Sequence, residues 1–451
     1  MKIVIYGLSQ PGVTIATFFS ELGHDVIVID EDAAGIADLS SKIDAQCFCG
    51  NAASINDLNK LDLTNVDLFI ASSYKDENNL LAAHFAKTIY QVRFSLCYLM
   101  QQVFASRNRQ TTLQKSQLAI DKIISPEKAI AQHVVHNIVH DAFINIYPLS
   151  NLGIYFCVFE FQAENDFIGL SLKEWLQSQQ VKITPLIIKK EGIYDAVNLD
   201  DVINVGDLLF FCADEQDVEA FNAQNTETLD PQSNIVVLGG GRFGGELAKR
   251  LAGSGNVKNL KVIEKDLDKA KILSQSLEQA VVLNGNALDP VLLEEAGVGK
   301  ETQVLCCMDQ DESNILSALL ARKMSAESMV LIHSATYFDI LLSLGIKHLV
   351  RIREIIVSEM LSCIPFRAVK ILRVFGGYEW FLCSVHLYSG SSLIGKTDTF
   401  FKKKGITKVA GIVRKDSWIP LVEAQDHTFI EDDKIIVVIH KTMVKELDKI
   451  F

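Results

Sequence analysis

The chain has 451 residues and a formal net charge of −13 at pH 7, and 49% of its residues are hydrophobic. This length predicts two to four domains. The acidic balance argues against nucleic acid and against direct adsorption to anionic lipid, because both require a basic surface. No apolar run reaches the roughly 18 residues that a membrane helix needs, so we expect no direct membrane insertion.

The cysteine pattern and the N-terminus predict a cytoplasmic protein. Residues Met1 to Gly7 form a strand and a turn rather than the charged and apolar regions of a signal peptide. The nine cysteines are scattered, mostly inside apolar runs, which is typical of buried reduced thiols. The clearest examples are Cys157, Cys212, Cys306 and Cys307.

The chain opens with a strand, a glycine turn and a helix. The strand Ile3 to Tyr6 precedes Gly7-Leu8-Ser9-Gln10-Pro11-Gly12, and a second strand ends at Asp30. This order is typical of a nucleotide-binding βα unit, in which the acidic residue binds a ribose. Ser9 replaces the middle glycine of the G-x-G-x-x-G spacing, and Pro11 has no backbone N–H. We therefore expect a weaker or altered site, and the sequence leaves open whether it still binds.

Further candidate ligand contacts of this first copy follow or end its later strands. They are Asn51, Ala52, Ser73 and Tyr98. The carboxyl ends of parallel strands meet at one edge of a sheet, so these residues are predicted to lie near the glycine turn.

Three histidines follow the first copy on one face of a predicted helix. His133, His136 and His140 are spaced i, i+3 and i+7. Such a face could bind a metal or respond to pH. A solvated or partner-facing surface is the simpler interpretation, because no ligand set is evident beyond Asp141. The sequence therefore assigns no metal ligands.

A complete glycine fingerprint begins the second half of the chain. The strand Ile235 to Leu238 leads into Gly239-Gly240-Gly241-Arg242-Phe243-Gly244, and a later strand ends at Glu264. Gly239 permits the tight turn, Gly241 lets the backbone approach a phosphate, and Gly244 lets the next helix pack closely. The Glu264 carboxylate can accept both ribose hydroxyls and would repel a 2′-phosphate.

The rest of the second site is predicted from positions that repeat those of the first copy. These positions are Asn286, Ala287, Met308 and His333. His333 ends the strand equivalent to that of Tyr98. Met308 begins an acidic segment that either lines the ligand or starts a helix with favourable charge. The side chain of Arg242 either reaches a terminal phosphate or faces solvent.

The two halves of the chain repeat one another, which sets the fold class. Strands alternate with helices in each half and are followed by short strands around a glycine turn. We predict an α/β protein with two tandem Rossmann-like, doubly wound parallel sheets, each followed by a small α+β domain. The predicted sheet domains are residues 1–120 and 233–350, and the small domains are 142–222 and 370–451.

This arrangement resembles the RCK family, the regulators of potassium conductance. The resemblance covers nearly the whole chain and is most specific at Gly239 to Gly245, at Gly285-Asn286-Ala287, at Ile120 to Glu127 and at the paired glycine turns. Asn51 and Asn286 replace a commoner aspartate of the family, and Tyr98 and His333 replace a frequent basic residue. The family equivalent of Arg242 contacts the terminal phosphate of the nucleotide.

The resemblance implies a regulatory subunit rather than an enzyme. Its ligand would be NAD(H) or an adenine nucleotide, ATP or ADP. Its partners would be further copies of itself in a dimeric or tetrameric ring and a membrane potassium-transport subunit of the Trk type. It would lie in the cytoplasm, held at the inner face of the membrane by that subunit. The alternatives are an NAD-linked oxidoreductase and an RCK regulator of a different channel or antiporter.

Overall fold

The computed structural model describes residues 1–100, 118–149, 152–163, 167–225, 234–254, 257, 259–346, 348–364, 368–403, 408–421 and 427–443. The chain divides into two compact units. The first comprises Met1–Ala129 and Arg353–Arg373, and the second comprises Ile130–Ile352 and Val374–Phe451.

The first unit is built on a parallel sheet. Its strands and helices are β1 (Lys2–Tyr6), α1 (Gln10–Glu21), β2 (Asp25–Asp30), α2 (Ala33–Ser40), β3 (Gln46–Cys49), α3 (Ile55–Leu58), β4 (Leu68–Ala71), α4 (Asp76–Thr88), β5 (Phe94–Tyr98) and β6 (Lys122–Ile124). The strand order is β3-β2-β1-β4-β5-β6, the order of a Rossmann fold. Helices cover both faces of such a sheet, which is why the central strand β1 is almost entirely apolar and buried.

The second unit begins with a small antiparallel domain. Its elements are α5 (Pro126–Val139, which starts in the first unit), β7 (Asn145–Leu149), β8 (Ile154–Glu160), α6 (Leu172–Ser178), β9 (Thr184–Lys190), β10 (Ile193–Ala196), β11 (Leu208–Asp214) and α7 (Glu215–Asn225). The strand order is β10-β9-β11-β8-β7. Its core is strongly aromatic, with Phe159, Trp175, Phe211 and Phe221 buried together.

The second parallel sheet follows in the same unit. Its elements are β12 (Asn234–Leu238), α8 (Arg242–Ser254), β13 (Asn259–Glu264), α9 (Leu267–Ser276), β14 (Ala280–Asn284), α10 (Pro290–Glu295), β15 (Thr302–Cys306), α11 (Asp311–Lys323), β16 (Glu327–Ile332), a 3-10 turn (Ala335–Tyr337), α12 (Phe338–Ser343) and β17 (His348–Arg351). Helix α13 (Ile352–Cys363) follows β17 in the chain and belongs to the first unit from Arg353 on. The order β14-β13-β12-β15-β16-β17 repeats that of the first sheet.

A second antiparallel domain ends the described chain. Its elements are β18 (Val369–Phe375), β19 (Trp380–His386), α14 (Thr399–Lys403), β20 (Lys408–Arg414), β21 (Ser417–Pro420), β22 (Lys434–His440) and a 3-10 turn (Lys441–Met443). The strand order is β18-β19-β22-β20-β21. The two antiparallel sheets meet through aromatic rings, since Phe375 lies 5.0 Å from Phe156 and 5.3 Å from Phe210 between ring centres.

The predicted fold class is confirmed: two parallel sheets of Rossmann order are each followed by a small α+β domain. The four domain boundaries stay predictions. Cys157, Cys212, Cys306 and Cys307 are buried free thiols, as the apolar runs around them predict. Within the part of the chain that the structure describes, no helix combines the length and hydropathy of a membrane span.

Candidate functional site

The glycine loop of the second sheet lies where the strand order reverses around β12, the position at which such sheets bind ligands. Gly239 has a φ of +94°, and its N–H donates to the carbonyl of Ile263 at 2.8 Å. A Cβ at Gly239 would lie 2.9 Å from Met308 Cγ, and a Cβ at Gly244 would lie 1.9 Å from the carbonyl oxygen of Gly239. The protein's own packing therefore requires these two glycines.

Gly241 differs from its two neighbours in the fingerprint. A Cβ built there has one close protein atom, Asp309 Oδ1, at 3.7 Å. Gly241 instead faces a cavity of about 370 Å³, within the size range of small-molecule sites. Its missing side chain thus leaves space for a ligand rather than for another part of the protein.

The cavity brings together six of the predicted site residues of the second copy. Gly239, Gly241, Glu264, Asn286, Ala287 and Met308 all line it. Asp309 and Gln310 also line it; they belong to the acidic segment that the sequence allowed either to line the ligand or to start a helix. The lining residues that the sequence did not offer as ligand contacts are Ile263, Lys265, Lys269, Gly285, Leu288, Cys307 and Ser313. Lys265 directly follows the strand-ending acid Glu264, so that signal was present in the sequence.

Glu264 is fixed by the backbone on both sides of its carboxylate. Gly240 N–H donates to Oε2 at 2.7 Å, and Asp266 N–H donates to Oε1 at 2.8 Å. The residue is 8% exposed and lines the cavity. Each carboxylate oxygen has two lone pairs, so both oxygens keep acceptor capacity for the hydroxyls of a ribose.

Arg242, Phe243 and His333 form a separate group that does not line the cavity. The Arg242 guanidinium carbon lies 4.9 Å from the centre of the Phe243 ring, and the rings of Phe243 and His333 are 6.0 Å apart. His333 Nδ1 lies 2.9 Å from Asp311 Oδ1. The phosphate contact predicted for Arg242 stays a prediction.

Asp311 holds the segment after β16 in place. Its carboxylate accepts the backbone N–H groups of His333 and Ser334 at 2.9 and 2.8 Å. Burial raises the pKa of Asp311, but the hydrogen bonds from the His333 side chain and from both N–H groups outweigh it, so the pKa lies below its ordinary value.

Asn314, which the sequence did not single out as a site residue, holds the cavity-lining residue Met308 in place. Asn314 Oδ1 accepts the N–H of Met308 at 2.7 Å, and its Nδ2 donates to the carbonyls of Met308 and Leu331 at 2.9 and 3.0 Å. Asn314 is fully buried. The side-chain amide thus ties the end of β15 to β16. The signal available in the sequence was an asparagine at the same place after the acidic residues of both halves, Asn79 and Asn314.

The first copy repeats these contacts residue by residue. Asp30 accepts the N–H groups of Leu8 and Asp32, both at 2.8 Å, as Glu264 does in the second copy. Asn79 accepts from Ser73 N–H at 2.8 Å and donates to the carbonyls of Ser73 and Tyr98 at 2.8 and 3.0 Å. Ser73 is therefore the structural equivalent of Met308.

The same hydrogen bonds correct one detail of the predicted alignment. Tyr98 and His333 do belong to equivalent strands, but Asn79 and Asn314 pair Tyr98 with Leu331. His333 corresponds to Met100, whose N–H donates to Asp76 at 2.8 Å as that of His333 does to Asp311. The alignment is offset by two residues because Asn79 and Tyr98 are 19 positions apart in the chain, whereas Asn314 and Leu331 are 17 apart.

Ser9 closes the glycine loop of the first copy. It is 1% exposed, it caps α1, and its Oγ accepts the N–H of Gly12 at 3.3 Å. Gly241, at the equivalent position, has no side chain that could accept in this way. Pro11 and Gly12 are also buried, and Gly7 has a φ of +108°. The loop is intact as a turn, and the Ser9 hydroxyl accepts the N–H of Gly12 at the start of α1.

Side-chain contacts also cross the ligand edge of the first sheet. Glu31 accepts from Asn51 Nδ2 at 2.9 Å and from Lys75 Nζ at 2.6 Å, and Tyr6 donates to Asn51 Oδ1 at 3.1 Å. Asn51 Oδ1 also accepts the N–H of Ala53 at 2.8 Å, as Asn286 Oδ1 accepts that of Leu288 at 3.1 Å. The two copies share this turn. They differ at the Glu31 contacts, because the second copy has Lys265 in place of Glu31 and Gln310 in place of Lys75.

The predicted histidine face is split by the fold. His133 is 3% exposed, and its Nε2 lies 3.2 Å from Asn145 Oδ1. Its ring stacks on Tyr147 with ring centres 4.5 Å apart. His136 and His140 lie 6.4 Å apart between ring centres. Burial lowers the pKa of His136, and the charges of His140 and Arg250 lower it further. His133 is thus part of a polar cluster of its own.

Comparison with known proteins identifies the repeated domain. The TrkA-N domain profile matches residues 3–126 and 235–352. The chain is 24% identical over 462 residues to the Trk system potassium uptake protein TrkA of Vibrio alginolyticus, covering 100% of this chain and 98% of that protein. It is 26% identical over 459 residues to TrkA homolog 2 of Methanosarcina mazei, covering 100% of each.

Two solved structures of GsuK share the fold of this chain. The GsuK RCK domain superposes with a TM-score of 0.61 at 14% identity, covering 100% of this chain and 94% of that one. The GsuK channel bound to NAD superposes with a TM-score of 0.60 at 14% identity, covering 99% and 78%. With the domain profile matching more than half of its residues, the chain belongs to the TrkA-N domain family and carries two copies of that domain in tandem.

Proposed function

We propose that this protein is a nucleotide-binding regulatory subunit of a membrane potassium transporter of the Trk type. The proposal is supported by full-length relatives that are named Trk system potassium uptake proteins and by the cavity of the second sheet. The observation that carries it is Gly241, which lines that cavity and where a built Cβ would have Asp309 Oδ1, at 3.7 Å, as its nearest protein atom.

The ligand is NAD(H) or an adenine nucleotide, bound mainly at the second copy. The backbone at Gly241 approaches a phosphate at the N-terminus of α8, where N–H groups and the helix dipole favour an anion. The Glu264 carboxylate accepts the ribose hydroxyls. Lys265 and Lys269, which line the same cavity, supply positive charge. The guanidinium of Arg242 reaches the terminal phosphate. A neighbour of the same fold is described as bound to NAD.

The nucleotide acts as a signal rather than as a substrate. Chains assemble as a homo-oligomeric ring, and nucleotide binding shifts the population of ring geometries by its differential affinity for them. The ring transmits this shift to a potassium-transport subunit, which also holds it at the cytoplasmic face of the membrane. Each parallel sheet is followed by a small five-stranded antiparallel domain and not by a second large α/β domain within the described residues.

The proposal is tested by calorimetric titration of the purified protein with ATP, ADP, NAD and NADH. Wild type is compared with Gly241→Asp and Gly241→Ala. Alanine adds one methyl group to a position whose nearest protein atom is 3.7 Å away, so the fold tolerates it while the phosphate loses space. Aspartate adds a negative charge as well. We expect weakened binding with alanine and no measurable binding with aspartate.

The matched control is Gly253→Asp, near the far end of the same helix. Gly253 is exposed and has no atom within 4 Å of a built Cβ, so nucleotide binding is expected to match that of wild type. Binding that survives in Gly241→Asp would move the working site away from the second loop. Absence of nucleotide binding in wild type would refute the proposed ligand class. A stoichiometry of two nucleotides per chain would show that the first copy also binds.

A hydride-transfer assay tests the regulatory role directly. The purified protein is incubated with NADH or NADPH and pools of carbonyl compounds, and absorbance of the reduced cofactor is followed. We expect binding without turnover. Turnover that is lost in Gly241→Asp would make the protein an NAD-linked oxidoreductase and would overturn the regulatory proposal.

A further inference from the structure

Three metal-ligating side chains converge in the second unit, away from the glycine loop. Asp141 follows α5, Glu327 is the first residue of β16, and His348 is the first residue of β17. One ligand atom from each lies within 4.8 Å of the other two. All three residues belong to the same compact unit.

The sheet register explains why two of them meet. Strands β16 and β17 are parallel neighbours, and Met329 pairs with His348. Glu327 lies two residues before Met329, and side chains two residues apart point to the same face of a sheet. Glu327 and His348 therefore share a face at the amino ends of their strands. The nucleotide cavity lies at the opposite, carboxyl ends.

The charges of this cluster favour a cation. Two carboxylates that face one another repel, and a bound cation would relieve that repulsion. Nδ1 of His348 is buried and has no hydrogen-bond partner among the residues that the structure describes. A buried nitrogen without a partner costs free energy, and a metal ion would satisfy it.

We propose that Asp141, Glu327 and His348 bind a divalent first-row transition-metal ion such as Zn²⁺ or Mn²⁺. Two carboxylates balance the charge of one divalent ion. The imidazole nitrogen favours a transition metal over Mg²⁺ or Ca²⁺, which prefer oxygen ligands. Tetrahedral ligands at about 2.1 Å from zinc lie roughly 3.4 Å apart. Because the three ligand atoms lie within 4.8 Å of one another, the side chains need to close by at most about 1.4 Å. Three protein ligands leave a coordination position for water.

The ion would join parts of the chain that are far apart in sequence. It would tie the segment after α5, which leads into the first antiparallel domain, to the outer strands of the second parallel sheet. Binding an ion to the folded form alone raises the unfolding temperature. The ion would thus stabilise the second unit against unfolding whether or not a nucleotide is bound.

The test uses the full-length protein, stripped with a chelator and free of nucleotide, and titrated with Co²⁺ while its visible absorption is followed. We expect one Co²⁺ per chain, displaced by Zn²⁺ and not by an equal concentration of Mg²⁺. His348→Gln, Asp141→Asn and Glu327→Gln should each weaken binding more than about 10-fold, the loss seen when only a supporting residue is removed. Circular dichroism of the stripped proteins checks that each variant folds.

Two controls separate this cluster from other sites. His136→Gln alters the histidine face on α5, and Gly241→Asp alters the nucleotide cavity; both should keep wild-type Co²⁺ affinity. The proposal is overturned if wild type binds no Co²⁺, if the folded variants of the three ligands bind as wild type does, or if Mg²⁺ competes equally. Loss of binding in His136→Gln alone would place the metal on the histidine face instead.

Discussion

Two glycines three residues apart in the second loop meet different neighbours. Gly241 faces the cavity, whereas a Cβ at Gly244 would lie 1.9 Å from the carbonyl oxygen of Gly239. The missing side chain thus leaves room at the edge of a cavity at Gly241 and room for the protein's own backbone at Gly244. Stability and ligand binding should therefore separate when the two are mutated.

We expect Gly244→Ala to lower the stability of the second parallel-sheet domain by about 3 kcal/mol, because the backbone of Gly239 must move to admit the methyl group. Gly241→Ala should leave stability within about 0.5 kcal/mol of wild type. Thermal unfolding followed by calorimetry measures both. Equal effects of the two substitutions would contradict the different surroundings assigned to them.

Asp311 makes the stability of the second site depend on pH. Its folded-state pKa lies below the ordinary value of 3.8. The stabilisation is therefore fully present above pH 3.8 and is lost as the pH falls through the folded-state pKa. We expect Asp311→Asn to cost about 1–3 kcal/mol at pH 7 and less near pH 3.

Urea unfolding of wild type and Asp311→Asn at several pH values checks this expectation. A difference between the two proteins that stays constant down to pH 3 would contradict it. Glu312→Gln is the matched control, because Glu312 is exposed. Within the described residues its carboxylate accepts one side-chain hydrogen bond, from Tyr337 Oη at 2.9 Å. It should change stability by less than about 1 kcal/mol at either pH.

At the scale of elements, the two copies differ in how the first helix of each sheet begins. Ser9 caps α1 with its own hydroxyl, whereas α8 begins beside Gly241. The hydroxyl of Ser9 thus caps the first helix, and no side chain at the equivalent Gly241 can do the same for α8. This difference, with the Glu31 contacts to Asn51 and Lys75, is in line with the proposal that nucleotide binds mainly at the second copy.

We expect Ser9→Ala to destabilise the first unit by about 1 kcal/mol through loss of the cap, and Ser9→Asp to preserve the cap. Nucleotide affinity at the second copy should not change in either variant. Thermal unfolding and the calorimetric titration measure the two quantities. Loss of nucleotide binding in Ser9→Ala would instead place a working site in the first loop.

At the scale of the whole molecule, the proposed role requires more than one chain, since a ring transmits the nucleotide signal to a transporter. The chain has a mass of 50.1 kDa. We expect light scattering to give a dimer or a tetramer, with the same mass for Gly241→Asp, because that substitution acts on the ligand and not on assembly. A monomer at micromolar concentration would contradict the ring.

The sequence determined the architecture of each copy because strand, glycine turn and helix are specified by short-range patterns. Apolar β-branched runs, the spacing from Gly239 to Gly244 and the strand-ending Glu264 are readable without any long-range contact. Because the two halves of the chain repeat one another, this order of strand, turn and helix can be read twice. For the same reason, six predicted residues of the second copy do line one cavity.

Only the tertiary structure decided which distant side chains meet. Asn314 fixes Met308 and Leu331 because α11 packs against two strands, and Lys269 reaches the cavity from α9. The sequence offered the histidines of α5 as candidate metal ligands, whereas the fold brings Asp141 together with Glu327 and His348. Such meetings depend on strand order and register, which bring together residues that are far apart along the chain and that local sequence patterns do not connect.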